Sequence, residues 1–431
     1  MDFFRYSKGD LHCEGLKASR LAGFFGTPLY VYSLKTFVRH FEVIDRAFNG
    51  KPHIICYAAK ANSNLAILKT AGLLGGGADV VSGGELRLAL RAGIKPNKMV
   101  FSGVGKTEEE IELALNSKIL FIAAESIQEL ESVARIAKRL KITAPVAVRV
   151  NPDIDPRTHP HIATGLKKTK FGLSESDSKK AYNFISNIKW LNPVGISMHI
   201  GSQVAYVDPY VDAARKIIDL YKHLKRKKLP LRYIDIGGGW AAYFRPEDDI
   251  PEPDDYVSAM SDLFSGIQAT IIVEPGRAII GNAGILIMKV LRVKRSGGKN
   301  YCIVDAGMND FIRPVLYNAN HRIEPIRRTS ERKVLYDIVG PLCESGDFLA
   351  RGIRLPKVSK DDYLALFTAG AYGSSMGSNY NSRFRPPEVA VAGRNAIMIR
   401  ERESFKDLVR NQKIKGVTGG LINNLKKSLD L

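Results

Sequence analysis

Lys60 stands in Cys56-Tyr57-Ala58-Ala59-Lys60-Ala61-Asn62, between the apolar pair Ile54-Ile55 and the helix-like stretch Leu65-Ala66-Ile67-Leu68. A lysine where a strand gives way to a helix, flanked by alanines and with few carboxylates close in sequence, is expected to be partly desolvated. Its pKa would then be lowered and its amine freed for Schiff-base chemistry; a surface lysine closing a loop is the plainer reading of the same residues. Two glycine-rich turns, Asp235-Ile236-Gly237-Gly238-Gly239 and Glu274-Pro275-Gly276-Arg277, each follow a strand-like run. Such turns let backbone N–H groups close on an anion such as phosphate, although either one alone also reads as a simple tight turn. His199, in His199-Ile200-Gly201-Ser202-Gln203, fits a core histidine or a ring stacked on a flat ligand, with Ser202 donating to a phosphate. Cys343-Glu344-Ser345-Gly346-Asp347 has no partnering Cys or His spacing for a metal, so no metal is expected and an acid/base cysteine is the preferred reading. Gly370-Ala371-Tyr372-Gly373 and Asn379-Tyr380-Asn381-Ser382-Arg383 are rich in hydrogen-bonding groups and poor in core formers, the makeup of ligand-binding loops.

These residues need elements to hold them, and the chain supplies a rhythm. Strand-like runs at 53–57, 78–81, 99–102, 119–123, 146–150, 194–199, 233–236 and 270–273 alternate with helical patterns at 84–92, 107–115, 126–140 and 208–224. About eight strands with intervening helices over roughly 250 residues predict an α/β fold built on a closed parallel (β/α)8 barrel. An open doubly wound sheet is the alternative, and it fits less well because the chemically interesting residues follow many different strands. In the barrel reading, the two glycine turns lie after the seventh and eighth strands, where barrels commonly hold a phosphate. A short strand at 27–32 is expected to enter this first domain. After Gly284, strand-like segments separated by Gly, Pro and Asn predict a mainly β second domain of sandwich or Greek-key type. The expected domains are therefore 30–284 for the barrel, and 1–29 with 285–431 for the β unit, with helical spacing at 403–412 and a basic tail after Lys413.

The bulk numbers narrow the function classes. With 431 residues, 45% of them hydrophobic, the chain can bury a sizeable core. A net charge of +20 raises nucleic-acid binding, but the basic residues are dispersed and no recognised nucleic-acid motif accompanies them, so no specific nucleic-acid partner is expected. There is no signal-peptide pattern and no run of about 18 apolar residues. The four scattered cysteines give no disulfide framework. The expectation is a cytoplasmic protein with no membrane association.

Assembled in order, Tyr57-Ala58-Ala59-Lys60-Ala61-Asn62, Lys170-Phe171-Gly172, His199 to Gln203, the triple glycine and Glu274 to Arg277 resemble the alanine-racemase-like, fold type III pyridoxal-phosphate decarboxylases, over about residues 27–407. The later motifs resemble the branch acting on diaminopimelate. Its relatives for ornithine or arginine typically carry Asp after the cysteine, where this chain has Glu344. Asp305-Ala306-Gly307-Met308, Arg313-Pro314-Val315-Leu316-Tyr317 and the 370–383 loops agree with that branch, while Ser374-Ser375 and the tail depart from it.

The resemblance implies pyridoxal 5'-phosphate as cofactor and conversion of meso-2,6-diaminopimelate to L-lysine and carbon dioxide, the last step of lysine biosynthesis. It makes Lys60 the lysine that bonds the cofactor. His199, Ser202, Gly238, Gly239, Glu274, Pro275, Gly276, Arg277 and Tyr372 become cofactor contacts, and Arg277, Arg313, Tyr317, Glu344 and Tyr372 substrate contacts. Cys343 becomes the general acid, reaching the cofactor with Glu344 across a homodimer interface. A substrate with two amino-carboxylate ends suits two arginines and a glutamate. The rival readings are a related decarboxylase for a carboxynorspermidine-like or carrier-bound substrate, and a pyridoxal-phosphate homeostasis protein sharing only the barrel.

Overall fold

The computed structural model describes residues 2–245 and 247–428. Eight strands, His53–Ala58, Gly77–Val80, Met99–Phe101, Phe121–Ala124, Ala144–Val150, Leu191–Met198, Tyr233–Asp235 and Thr270–Val273, each pair in parallel with the next. The eighth returns to the first with Ile271 opposite His53 and Val273 opposite Ile55, closing the barrel. All eight are the strands expected from the sequence, with ends shifted by a few residues.

Strand side chains alternate between two faces, so each barrel strand has an inner and an outer set. The inner set packs Cys56, Val100, Phe121, Ala123, Ala147, Val194 and Ile272 into one cluster. The outer set, including Tyr57, Val80, Phe101, Ile122, Val148, Ile196 and Val273, packs against the helices in a second and larger core. Helix starts are set by side chains that accept from the first free N–H groups: Ser82, Thr107, Ser126 and Ser174 each cap the helix that follows, and Thr107 forms a reciprocal capping box with Glu110.

The second unit is mainly β. Its strand order is Phe348–Pro356, Lys333–Val339, Lys299–Val304, Gly284–Ser296, Leu29–Ser33, Glu388–Ala392, Asn395–Arg400, with Tyr363–Leu366 and Ile323–Pro325 attached to the side. The 13-residue strand Gly284–Ser296 serves both halves. Its start pairs with Leu29–Tyr32 and its end with Lys299–Val304.

One expectation changes here. The strand near residue 30 was expected to enter the barrel domain. Leu29–Ser33 instead lies inside the β sheet, antiparallel to Gly284–Ile287 and parallel to Glu388–Val391, with every residue buried. The first 28 residues, which show no sequence period, form a small antiparallel sheet of Phe4–Ser7, Asp10–Cys13 and Leu16–Lys17 followed by the helix Ala18–Phe25. Leu11, Cys13, Leu21 and Ala22 share a core with Ile285, Ile287 and Val389 of the large sheet. The helical stretch expected at 403–412 forms as Phe405–Val409, and the tail carries a further exposed helix, Gly419–Ser428. No helix among the described residues is long and apolar enough to cross a membrane.

Candidate active site

Continuing the inner parity of the second to fifth, seventh and eighth barrel strands leads to a polar side chain at the same end, and in the sixth, after a register shift between Pro193 and Gly195, Ser197 stands there opposite Arg149. These are Asp79, Ser102, Glu125, Arg149, Ser197, Asp235 and Glu274, all buried. The C-terminal mouth of the barrel is thus lined by charge, as barrel active sites require. Lys60 reaches it from the short 3-10 turn Ala59–Ala61 that follows the first strand.

The lysine does not have the environment expected for it. Its Nζ lies 2.5 Å from Asp79 Oδ2, and its side chain keeps 31% of its exposure while Asp79 keeps none. Burial alone would lower its pKa, but the carboxylates of Asp79 and Glu274 outweigh that and push it above the ordinary lysine range. The sequence expectation of a lowered pKa failed because those carboxylates are 19 and 214 positions away in the chain and adjacent only in the fold.

Glu274 and Asp235 are a close carboxyl pair. Burial, then the charges of Asp235 and Asp79, raise Glu274 well above the carboxylate range. Burial raises Asp235 to about 6 against hydrogen bonds from the Gly237 N–H and Ser197 hydroxyl. His199 follows the sixth strand, and its Nδ1 accepts from the Gly238 N–H at 3.1 Å, which puts the ring proton on Nε2. Burial, reinforced by Arg149 and Lys60, drives its pKa well down and keeps it neutral. Arg149 is held by Glu125 at 2.9 Å and stacks over Phe171.

The glycine turns are required by space. A Cβ on Gly238 would collide with the Glu274 carbonyl, and one on Gly239, at φ +98°, would collide with the Gly201 carbonyl. At Gly276 it would sit 2.9 Å from the Ala61 Cβ. The Gly237 and Gly238 N–H groups are committed to Asp235 and His199. Those of Gly239, Gly276 and Arg277 have no partner among the described residues and are the ones left for an anion. Ser202 lies beside them and accepts from Arg277 Nη2 at 3.2 Å. Pro275, inside the second turn, accepts from the Ala58 N–H at 3.2 Å and so locks the eighth strand's end onto the lysine strand. Gly239→Ala is expected to cost about 1–3 kcal/mol from strain and crowding together. A melting curve of the protein without added anion checks this, and retention of bound phosphate-bearing ligand on gel filtration should fall in parallel.

The β unit completes the mouth. The Tyr372 N–H bonds the Ala61 carbonyl at 2.8 Å, Ser375 Oγ bonds it at 3.2 Å, and Asn62 Nδ2 reaches the Gly370 carbonyl. This clamps the loop at 370–375 onto the lysine turn. Tyr372 lies 4.9 Å from the Arg277 guanidinium and 6.0 Å from that of Arg313, and Tyr317 lies 5.3 Å from Arg313. Both arginines are 4% exposed, yet no carboxylate among the described residues pairs with either. Nε and Nη1 of Arg277 have no hydrogen-bond partner among the described residues. Burial and the neighbouring Arg277 bring Arg313 down to about 9.

Cys343 and Glu344 are exposed on the β unit, and no hydrogen bond or ion pair among the described residues joins either to the Lys60 cluster. Their turn is nonetheless built rigidly. The Asp347 carboxylate accepts from the Met308 and Leu342 N–H groups at 2.7 Å, and Cys343 N–H donates to Asn381 Oδ1 at 3.0 Å.

Sequence reading missed Asp79, Asp235, Arg149, Phe244 and His321. Strand parity was the available signal for the first three. Phe244 and His321 lie in loops and touch Arg277 and Arg313 only in the fold.

Comparison with known proteins agrees with this geometry. The family described as pyridoxal-dependent decarboxylase, pyridoxal binding domain, matches residues 34–281. A curated relative from Aquifex aeolicus (strain VF5), diaminopimelate decarboxylase, is 48% identical over 407 residues, covering 94% of this chain and 96% of its own. The crystal structure of diaminopimelate decarboxylase from Helicobacter pylori complexed with L-lysine superposes with a TM-score of 0.88 at 43% identity, covering 91% of this chain and 98% of that one. The enzyme from M. jannaschii in co-complex with L-lysine gives 0.92 at 38% identity, with 96% and 98% covered.

Proposed function

Because this chain belongs to the pyridoxal-dependent decarboxylases, and among them to the diaminopimelate decarboxylases, we propose that its site removes carbon dioxide from meso-2,6-diaminopimelate to leave L-lysine. The cofactor is pyridoxal 5'-phosphate, and the residues present fit it: an amine in the barrel mouth, a glycine cradle with unspent N–H groups, and a buried acid opposite. When bound, that group supplies an electron sink for the charge left on Cα as carbon dioxide departs.

The protein's own residues take the roles that the family resemblance implies. Lys60 Nζ, at the barrel mouth, would hold the cofactor through its aldehyde carbon. Backbone N–H groups of Gly239, Gly276 and Arg277 would hold the phosphate, with Ser202 beside them and Gly238 and Pro275 shaping the turn. Glu274, its pKa raised by burial and by its carboxyl neighbours, would hold a proton at the cofactor's ring nitrogen. His199, kept neutral by burial and by the charges of Arg149 and Lys60, would contact the cofactor's ring without adding a competing positive charge. Tyr372, fixed to the lysine turn and beside Arg277 and Arg313, would contact the cofactor and the substrate's distal end. Cys343 Sγ gives the proton that Cα needs after carbon dioxide leaves, and Glu344 takes the distal ammonium. Both come from the partner in a homodimer.

One observation carries the substrate: Arg277 and Arg313 lie buried together with no carboxylate partner among the described residues. Two desolvated guanidinium groups are costly unless an anion completes them. A distal carboxylate does so, beside Tyr317 and Tyr372. An ornithine-like substrate has none to offer. Arg313→Gln is accordingly expected to raise KM for meso-diaminopimelate about a hundredfold while changing kcat far less, as loss of a charge-assisted pair predicts.

The deciding assay mixes the cofactor-loaded protein with meso-diaminopimelate and measures both carbon dioxide and lysine. Absence of both products would end this reading. Release from a carboxynorspermidine-like substrate alone would move the function to that relative. We also place the protein in the cytoplasm. We divide it into a barrel unit within 30–284 and a β unit from 1–29 and 285–431, with Leu29–Ser33 counted in the sheet it joins.

A further inference from the structure

His321 is 2% exposed and has both ring nitrogens engaged. Its Nδ1 lies 3.0 Å from the Phe367 carbonyl, and its Nε2 lies 3.4 Å from Nε of Arg313. A carbonyl oxygen only accepts, so the ring proton is on Nδ1 and Nε2 offers its lone pair to the arginine. Two aromatic edges hold the ring plane: Phe244 at 4.8 Å and 81°, and Phe311 at 4.7 Å and 88°. Burial and the charge of Arg313 bring its pKa down to about 3, consistent with a histidine that adds no third cation to the pair of guanidinium groups.

The consequence falls on Arg313. It opens the short helix Arg313–Tyr317, and the left-handed Asn318, at φ 51°, turns the chain so that His321 comes back beneath it. A guanidinium has five donors in a planar fork, and a carboxylate is gripped best by two of them in parallel. With Nε tied to a fixed ring, the fork can no longer swivel about its stem, and Nη1 and Nη2 are left for a ligand.

We propose that His321 is a positioning residue for the substrate's distal carboxylate: its Nε2 fixes the Arg313 fork through Nε, and Phe367 and the two phenylalanine edges fix His321. This rests on the function proposed above. It adds a residue that touches neither cofactor nor substrate yet sets affinity for the end of the molecule where no bond changes.

The test compares His321→Leu, which keeps bulk but no acceptor, with His321→Gln, whose Oε1 reaches the place of Nε2, and His321→Asn, whose shorter amide does not. Two inhibitors separate the effects: L-lysine keeps the distal amino-carboxylate end, and cadaverine has no carboxylate. His321→Leu is expected to raise KM for meso-diaminopimelate about tenfold, with kcat within about twofold, as for a lost hydrogen bond to a charged group. Inhibition by L-lysine should weaken by the same factor and that by cadaverine should not move. His321→Gln should return to within about threefold of the wild type while His321→Asn does not, a comparison that still decides the matter if the leucine variant fails to fold. An unchanged KM in the leucine and asparagine variants, an equal weakening of both inhibitors, or no difference between glutamine and asparagine would overturn the assignment. Wild-type protein that releases no carbon dioxide from diaminopimelate would instead retire the substrate reading, so the two failures are distinct.

Discussion

Lys60→Ala is expected to lower decarboxylation by more than about a thousandfold and to abolish the near-visible absorbance band of the cofactor-loaded protein. Two separate losses are bundled in that variant. The nucleophile disappears, and Asp79, fully buried with Oδ1 already unpartnered, loses the ammonium on Oδ2. Stranding half of a buried pair is destabilising, but the lysine end is about one-third exposed, so a cost of about 1–3 kcal/mol is appropriate rather than the full penalty of a dry ion pair. Lys60→Arg separates the two. It keeps a cation for Asp79 and should melt close to the wild type while remaining as inactive as the alanine variant.

The raised pKa of Lys60 has a kinetic sign as well. Only the neutral amine attacks an aldehyde, and the carboxylates of Asp79 and Glu274 favour the ammonium. Loading of cofactor-free protein should therefore accelerate as pH rises through the alkaline range, followed by absorbance. Asp79→Asn removes the leading attraction and should move that acceleration to lower pH. A loading rate independent of pH would contradict the ion pair at the barrel mouth.

How much of this was legible in the sequence depends on whether the signal is local. The barrel was, because eight strands each announce themselves by β-branched runs followed by helical spacing, and caps such as Ser82 and Thr107 stand at the helix starts. The placement of Leu29–Ser33 was not. Alternation identifies a strand but is silent about its partner, and this one pairs with residues more than 250 positions later. The strands of the N-terminal sheet are two to four residues long, too short for any period to register. Within the site, glycine turns and Lys60 stood out as motifs, whereas Asp79, Arg149 and Asp235 sit in otherwise apolar strands and declare themselves only when inner parity is followed to the strand's end. The direction of the Lys60 shift was misread for the same reason: sequence distance is a poor guide to which charges share a barrel mouth.

Mixing two inactive variants should restore activity. Cys343→Ala is expected to reduce turnover by about 10²–10⁴-fold, the range for loss of a general acid, and Lys60→Ala by still more. In one chain the cysteine is exposed and has no bond to the lysine cluster, while the turn that carries it is clamped by Asp347 and Asn381. A rigid turn presenting a thiol and a carboxylate outward suits delivery to a second copy better than a local role. If the partner supplies Cys343, a mixed dimer of the two variants has one site with both lesions and one with neither. Random reassociation of equal amounts makes half of the dimers mixed, so about a quarter of wild-type activity should return. If Cys343 instead serves its own chain, every site in every dimer carries a lesion and the mixture stays inactive. The measurement needs only partial denaturation, dilution together and a carbon dioxide assay, with each variant refolded alone as its control.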